Sequence, residues 1–281
     1  MKYSELLKYG TDLSLENNKE DSAVKILLLD VSKMESHILI GSMNEEVPQD
    51  IEDKFKEKLD KYIFSNIPVQ HLTGTEYFYG YEFYVNDDVL IPRFETEELV
   101  SNILYTYDEV FEGESIKVVD VGTGSGAIAI TLDLEEANMT VKATDISDVA
   151  LDVARKNNDK LKANVEFICG DMLEPLYGEK YDILVSNPPY IPSTEAVDSL
   201  VLDNEPHLAL FGGEDGLKFY RIILENAHKI LNEKSILAFE HAYDKGKEMV
   251  DLSKKYFPNS EVRLLKDLQG KDRMTIIINR R

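Results

Sequence analysis

Between residues 120 and 127 the chain reads Asp120-Val121-Gly122-Thr123-Gly124-Ser125-Gly126-Ala127, placing three glycines at the seam between an apolar run and a helical pattern. Glycine reaches backbone conformations closed to other residues. The segment can therefore turn sharply, admit a ligand against the main chain and open a helix whose first N–H groups are free. A seam of this kind belongs at the carboxyl end of a strand in a layered sheet. The flanking sequence agrees. Residues 116–121 read as a strand, 127–134 as a helix, 141–144 as a strand and 147–161 as a helix capped by Ser147. Strands at 165–169 and 181–186, a helix at 216–231, a strand at 235–240 and a helix at 245–256 follow. The last two strands, 261–266 and 273–279, flank Gln269-Gly270 and read as an antiparallel pair. Alternating units of this kind imply an α/β fold: a doubly wound, mostly parallel seven-stranded sheet with helices on both faces.

The N-terminal part has a different period. Ile51, Phe55, Leu59, Tyr62 and Ile63 recur at helical spacing, with Pro48 where a first-turn proline is tolerated. Ala23, Val24, Ile26, Leu27, Leu28 and Val31 form a second apolar face, and His37-Ile38-Leu39-Ile40 ends at Gly41. The expected organisation is a helical domain over 1–75 that docks a substrate, an aromatic hairpin or linker over 76–92, and the α/β domain over 93–281.

Charge narrows the function classes. Lys and Arg total 31 against 53 Asp and Glu, a net charge of −22. A protein that binds nucleic acid through its phosphates needs a basic face, so this balance argues against direct nucleic-acid binding. The stretch 76–120 alone has two basic residues, Arg93 and Lys117, against twelve acidic ones. This reads as a solvated acidic surface or a face for a basic partner. Apolar runs fall far short of the roughly 20 residues of a membrane span, and Met1-Lys2-Tyr3-Ser4-Glu5 enters a charged amphipathic pattern directly. Cys169 is the only cysteine, which excludes an intrachain disulfide and fits a reducing cytoplasm. At the end of an apolar strand it reads as a small buried hydrophobe. The five histidines show no ligand spacing, so no metal is expected.

Two further features carry chemistry. Asp145 closes the second strand of the α/β region, 23 positions after Gly122, where a carboxylate can accept hydrogen bonds from ribose hydroxyls. Gly122-x-Gly124-x-x-Ala127 also satisfies a dinucleotide fingerprint, so the loop by itself leaves a nicotinamide-dependent oxidoreductase open. Asn187-Pro188-Pro189-Tyr190 directly follows the strand 181–186. Two prolines stiffen this segment and remove two N–H donors. Asn187 then offers an amide oxygen, Pro188 a carbonyl and Tyr190 an aromatic face, a set suited to holding a planar –NH2 group. His241, after Glu240 at a strand end, reads as an ordinary satisfied histidine rather than a site residue.

The glycine loop, Asp145 and the tetrad resemble those of the amino-methyltransferases dependent on S-adenosylmethionine. More narrowly, the chain resembles the peptide chain release factor glutamine methyltransferases, the HemK/PrmC family. Pro68-Val69, Leu72-Thr73-Gly74 and Phe78-Tyr79-Gly80 are similar to that family's junction segment. Leu90-Ile91-Pro92-Arg93 with Glu95-Thr96-Glu97-Glu98-Leu99-Val100 resembles its most distinctive stretch. Glu205-Pro206 with Ala209-Leu210, the run Gly213-Glu214-Asp215-Gly216-Leu217, and Asp267-Leu268 with Asp272-Arg273 resemble later ones. Phe94 and Met172 depart from the family pattern, which usually has proline and often an aromatic residue there.

The resemblance implies a class I methyltransferase using S-adenosyl-L-methionine and releasing S-adenosyl-L-homocysteine. It implies that Gly122, Thr123, Gly124, Ser125 and Gly126 hold the methionine part, Asp145 the ribose and Met172 the adenine, with Asn187 also touching the cofactor. Asn187, Pro188, Pro189 and Tyr190 would hold the substrate, with Asn187, Pro188 and Tyr190 catalytic. The implied reaction methylates the N5 nitrogen of the GGQ-motif glutamine in class I release factors, in the cytoplasm, by a monomer. A DNA or RNA adenine-N6 methyltransferase is the alternative, because the same tetrad can hold an adenine amino group after base flipping. A non-catalytic scaffold would need neither loop, acid nor tetrad.

Overall fold

The computed structural model describes residues 1–280. Five helices come first: α1 (Tyr3–Glu16), α2 (Ser22–Ser32), α3 (Ser36–Gly41), α4 (Gln49–Phe64) and α5 (Val69–Thr73). A hairpin of β1 (Thr75–Phe78) and β2 (Tyr81–Tyr84) precedes α6 (Phe94–Phe111). Then come β3 (Ile116–Val121), α7 (Ala127–Glu135), β4 (Met139–Asp145), α8 (Asp148–Leu161), β5 (Glu166–Cys169) and β6 (Tyr181–Ser186). The chain closes with α9 (Ser199–Leu202), α10 (Lys218–Asn226), β7 (Leu231–Glu240), α11 (Gly246–Tyr256), β8 (Glu261–Lys266) and β9 (Asp272–Arg280).

The main sheet has the order β5-β4-β3-β6-β7-β9-β8. Strands β3 to β7 are parallel, and β9 runs antiparallel to both β7 and β8. This is the mostly parallel seven-stranded sheet expected from the alternation of strands and helices. Its central strands are apolar almost throughout because helices cover both faces. Successive residues enter opposite cores, as the pleat requires: Val118, Ile183, Ile236 and Ile276 face α6 and α7, while Val119, Leu184, Leu237 and Ile277 face α10 and α11. From β3 the chain builds outward through β4 to β5, then returns to β6 on the other side of β3. The carboxyl ends of β3 and β6 therefore flank the point where strand order reverses, where open α/β sheets hold ligands.

The hairpin turns at Tyr79 and Gly80, both at positive φ (53° and 82°), as a type I′ turn demands. Phe78 and Phe83 on its inner face are fully buried and meet edge to face at 6.0 Å. Residues 1–75 form a compact unit with their own core of Leu6, Val24, Leu27, Leu28, Phe55 and Leu59. Within it α4 buries Phe55, Leu59, Tyr62 and Ile63, with Pro48 just ahead of the first turn, as N-cap.

The structure corrects several expectations. Segment 198–204 groups with the helical unit, where Asn204 Nδ2 donates to the Asn66 carbonyl (2.8 Å); that pairing is too long-range for local sequence to show. The run His37-Ile38-Leu39-Ile40 does end at Gly41, in α3, where Leu39 is buried and Ile38 and Ile40 are exposed. The helix expected over 216–231 is shorter: after α10 comes a 3-10 turn, Ala227–Lys229, and Leu231 already pairs with Tyr181 in the sheet. Helix α6 had no sequence expectation, although Leu99, Val100, Ile103, Tyr107, Val110 and Phe111 carry a helical period. Cys169 is exposed, because β5 is the edge strand and has a neighbour on one side only; its thiol faces the Ile146 carbonyl at 3.7 Å. Among the described residues, no helix is long and apolar enough to cross a membrane.

Candidate active site

The glycine loop leaves β3 by continuing its ladder: the Gly122 and Thr123 amides donate to the Thr144 carbonyl at 2.8 and 3.0 Å. Gly122 and Gly124 have φ of 78° and 53°, where side chains strain the backbone. A Cβ at either would meet nothing within 4 Å and would project into open space. That space is a cavity of about 480 Å³ at the carboxyl ends of the strands. Asn157, fully buried on α8, holds the loop from behind: its Nδ2 donates to the Ser125 carbonyl (2.9 Å) and to that of Tyr84 (3.0 Å), while its Oδ1 accepts from the Tyr84 amide (2.6 Å).

Asp145 reaches the cavity from the end of β4. Its two carboxylate oxygens accept from the Gly124 and Ser147 amides, both at 2.9 Å. Burial pushes its carboxyl above the ordinary range, while the Ser147, Gly124 and Ile146 amides pull it back. Beneath the loop, Asp120 is fully buried and accepts from Thr123 Oγ1 (2.6 Å). Burial, reinforced by the charge of Asp145 and opposed by Thr123, pushes Asp120 up to about 7. Met172, at a φ of 46°, lines the cavity beside Asp171, and Thr144 Oγ1 donates to its carbonyl at 3.2 Å.

On the other side of the switch point, Ser186 ends β6 and donates through Oγ to the Val121 carbonyl (2.6 Å), tying the tetrad's strand to the strand of the glycine loop. Asn187 and Pro189 line the same cavity as Gly122, Gly124 and Asp145. Pro188 is buried, and Tyr190 is half-buried and packs on the core beneath α10. Burial, with the nearby Glu240 carboxylate, drives the Tyr190 hydroxyl well above its usual range, so it stays protonated. The chain can pass behind the tetrad only because Gly216, at a φ of 76°, has no Cβ to strike the Tyr190 carbonyl.

Several wall residues have roles that the sequence reading left unassigned. Thr96, buried in the first turn of α6, donates through Oγ1 to Glu240 Oε2 (2.6 Å) and accepts from Asn187 Nδ2 (3.2 Å). Glu240, at the end of β7, is buried, and burial is the main cause of a carboxyl pushed up to about 7. Arg93 lines the cavity and pairs with the buried Glu205 (2.5 Å), whose other oxygen accepts from the Ile91 amide (3.4 Å). Glu240 stood next to His241 in the sequence as a visible signal. The imidazole instead lies buried between the Ala242 carbonyl (2.9 Å) and Thr275 Oγ1 (3.0 Å). Phe94 is the first residue of α6, a position that proline tolerates because its N–H has no helical partner, so the departure from the family pattern leaves this turn intact.

The donor set fits a nucleoside with a short amino-acid tail. Open glycine faces border the cavity, Asp145 stands at the end of β4, and three carboxylates (Asp88, Asp145 and Asp171) outnumber Arg93 and Lys218 on the wall. That excess suits a ligand carrying positive charge.

Known proteins match this arrangement. Residues 98–213 match the family described as Methyltransferase small domain. A release factor glutamine methyltransferase of Bacillus subtilis (strain 168) is 46% identical over 274 residues, covering 96% of this chain and 95% of that protein. One of Bacillus anthracis is 42% identical over 278 residues, covering 98% of each. Among solved structures, a methyltransferase from Pyrococcus furiosus superposes with a TM-score of 0.52 at 19% identity, over 72% of this chain and 90% of that one, a likeness of fold. With a methyltransferase sheet, a glycine loop facing Asn187 and Pro189 across one cavity, and relatives matched along nearly their whole length, the chain belongs to the release factor glutamine methyltransferase family.

Proposed function

We propose that this enzyme transfers a methyl group from S-adenosyl-L-methionine to the side-chain amide nitrogen of a glutamine in a peptide chain release factor. The observation that carries the reading is the placement of Asn187 on the wall of the cavity that also contains Gly122, Gly124 and Asp145. In this reading Gly122, Thr123, Gly124, Ser125 and Gly126 cradle the methionine part, Asp145 the ribose and Met172 the adenine. Held there, S-adenosylmethionine would supply a methyl group on a positively charged sulfur, leaving as a neutral thioether, and the methylated amide nitrogen would give up a proton to solvent.

An amide nitrogen is a weak nucleophile because its lone pair is delocalised into the carbonyl. The chain's contribution is therefore orientation and electrostatics. Asn187 Oδ1 and the Pro188 carbonyl accept the two hydrogens of the –NH2 group, hold its plane and favour the positive charge that develops there. Pro188 and Pro189 keep those acceptors from relaxing. The half-buried, protonated Tyr190 offers a neutral surface. The helical unit, in this reading, docks the protein substrate.

The test mixes enzyme and methyl-labelled S-adenosylmethionine with purified release factor and, separately, with DNA and RNA. Label is expected on a glutamine of the release factor. Label appearing only in nucleic acid would overturn the reading.

A further inference from the structure

An asparagine can hold an –NH2 group only if its oxygen faces it. Its amide is nearly symmetric in shape, so something must forbid the flipped orientation. Asn187 Nδ2 donates to Thr96 Oγ1 (3.2 Å), and Thr96 Oγ1 donates to Glu240 Oε2 (2.6 Å). All three belong to different elements: the loop after β6, the first turn of α6 and the end of β7. A hydroxyl has one proton. While Glu240 is a carboxylate, it can only accept, so the Thr96 proton is committed to it. Thr96 can then only accept from Asn187, and the Asn187 nitrogen end must face Thr96.

We propose that Thr96 and Glu240 are positioning residues that fix the polarity of the Asn187 amide, leaving Oδ1 to the substrate –NH2; this rests on the tetrad reading above. The relay is directional and has a release. Protonated Glu240 donates to Thr96 instead, the Thr96 proton is freed to point at Asn187, and the amide can turn its oxygen inward. The substrate then meets a donor instead of an acceptor. Burial pushes the Glu240 carboxyl up to about 7, against the pull of Thr96, Arg273 and the Asn187 amide, so Glu240 makes this change near neutrality rather than in acid. The charged and titratable groups facing it are Arg273 from β9, Glu95 from α6, Tyr190 from the tetrad and Tyr220 from α10, whose hydroxyl donates to the Glu240 backbone carbonyl (2.7 Å). The imidazole of His241 turns away, to Ala242 and Thr275.

The relay also sorts amide from acid: an outward Asn187 oxygen accepts from glutamine but repels the carboxylate of glutamate. Single-turnover rates from about pH 6 to 9 and calorimetric titrations with a glutamine peptide and its glutamate counterpart test it, on the full-length parent and Thr96→Val, Thr96→Ser, Glu240→Gln and Asn187→Ala. The parent rate is expected to fall as pH drops through about 7. Thr96→Val should lose roughly 10- to 100-fold, the range for removing an outer partner that orients a functional group, and should narrow the preference for glutamine over glutamate peptide. Thr96→Ser keeps the hydroxyl and should restore both. Glu240→Gln cannot ionise and should lack the acid limb, which decides the matter even if Thr96→Val does not fold. Thr96→Val matching the parent in rate, pH profile and peptide preference while Asn187→Ala is impaired would overturn the relay alone, as would an acid limb retained in Glu240→Gln. An Asn187→Ala enzyme as fast as the parent would overturn the tetrad reading and the relay with it.

Discussion

Asn187 sits where β6 ends and lines the cavity, while its backbone follows a strand locked to β3 through Ser186. Removing one preorganised polar group aimed at developing charge slows chemistry by on the order of 100- to 1,000-fold. Asn187→Ala should cut the single-turnover rate by about that factor and leave the affinity for S-adenosylhomocysteine nearly unchanged, with melting temperature as the control for folding. Asp145→Ala should do the converse. It removes the acceptor of the Gly124 and Ser147 amides together with the proposed ribose partner, so S-adenosylhomocysteine should bind about 1–3 kcal/mol more weakly by calorimetry. Asp120 gives a prediction of stability instead. Its folded carboxyl is pushed up to about 7, above an unfolded value near ~3.9. Between those values the folded state binds the proton more tightly, so the stability it confers is full below the lower value and is lost as pH rises through the upper one. Asp120→Asn keeps an acceptor for Thr123 without the buried charge. Its gain in melting temperature over the parent should therefore be larger at pH 8 than at pH 5.

At the scale of elements, Asn157 shows how one side chain on α8 holds two others in place. Its three hydrogen bonds reach the backbone of β2 at Tyr84 and the glycine loop at Ser125. Replacing it with Leu leaves those buried backbone groups without partners, at about 1–3 kcal/mol for each unsatisfied group. Asn157→Leu should lower the melting temperature by several degrees or more and also weaken S-adenosylhomocysteine binding, since Ser125 is no longer held. A variant that melts with the parent would show that the hairpin and loop are fixed by packing alone. The alternation of apolar periods makes most of these elements legible in the amino-acid sequence. The ends of α10 and β7 are not legible there, because where a helix yields to a strand depends on Leu231 finding Tyr181 in the sheet.

At the scale of the molecule, the cavity residues all belong to the unit formed by 76–197 and 205–281, and none to the helical unit. A chain beginning at Glu76 is expected to bind S-adenosylhomocysteine with near-parental affinity yet lose most methylation of intact release factor. Full activity on that substrate would remove the docking role from the helices. The acidic balance of the chain points the same way as that assignment, toward a protein rather than a phosphate backbone as substrate.

What the sequence determined by itself was whatever is written locally or at fixed spacing. The alternation of strand and helix dictated a doubly wound sheet, the glycines after a strand placed a ligand loop, and Asp145 and Asn187 stood at strand ends, where such sheets put their sites. Tertiary structure alone decided which distant residues meet. Thr96 and Glu240 are 144 positions apart, and Asn187 lies 91 from Thr96. Thr96 stands in a stretch that resembles the family's and Glu240 beside His241, but neither local pattern says that they meet each other or Asn187. They form a hydrogen-bonded chain because β7 lies beside β6 in the sheet and α6 begins against their carboxyl ends, which brings Glu240 and Asn187 to the one hydroxyl of Thr96.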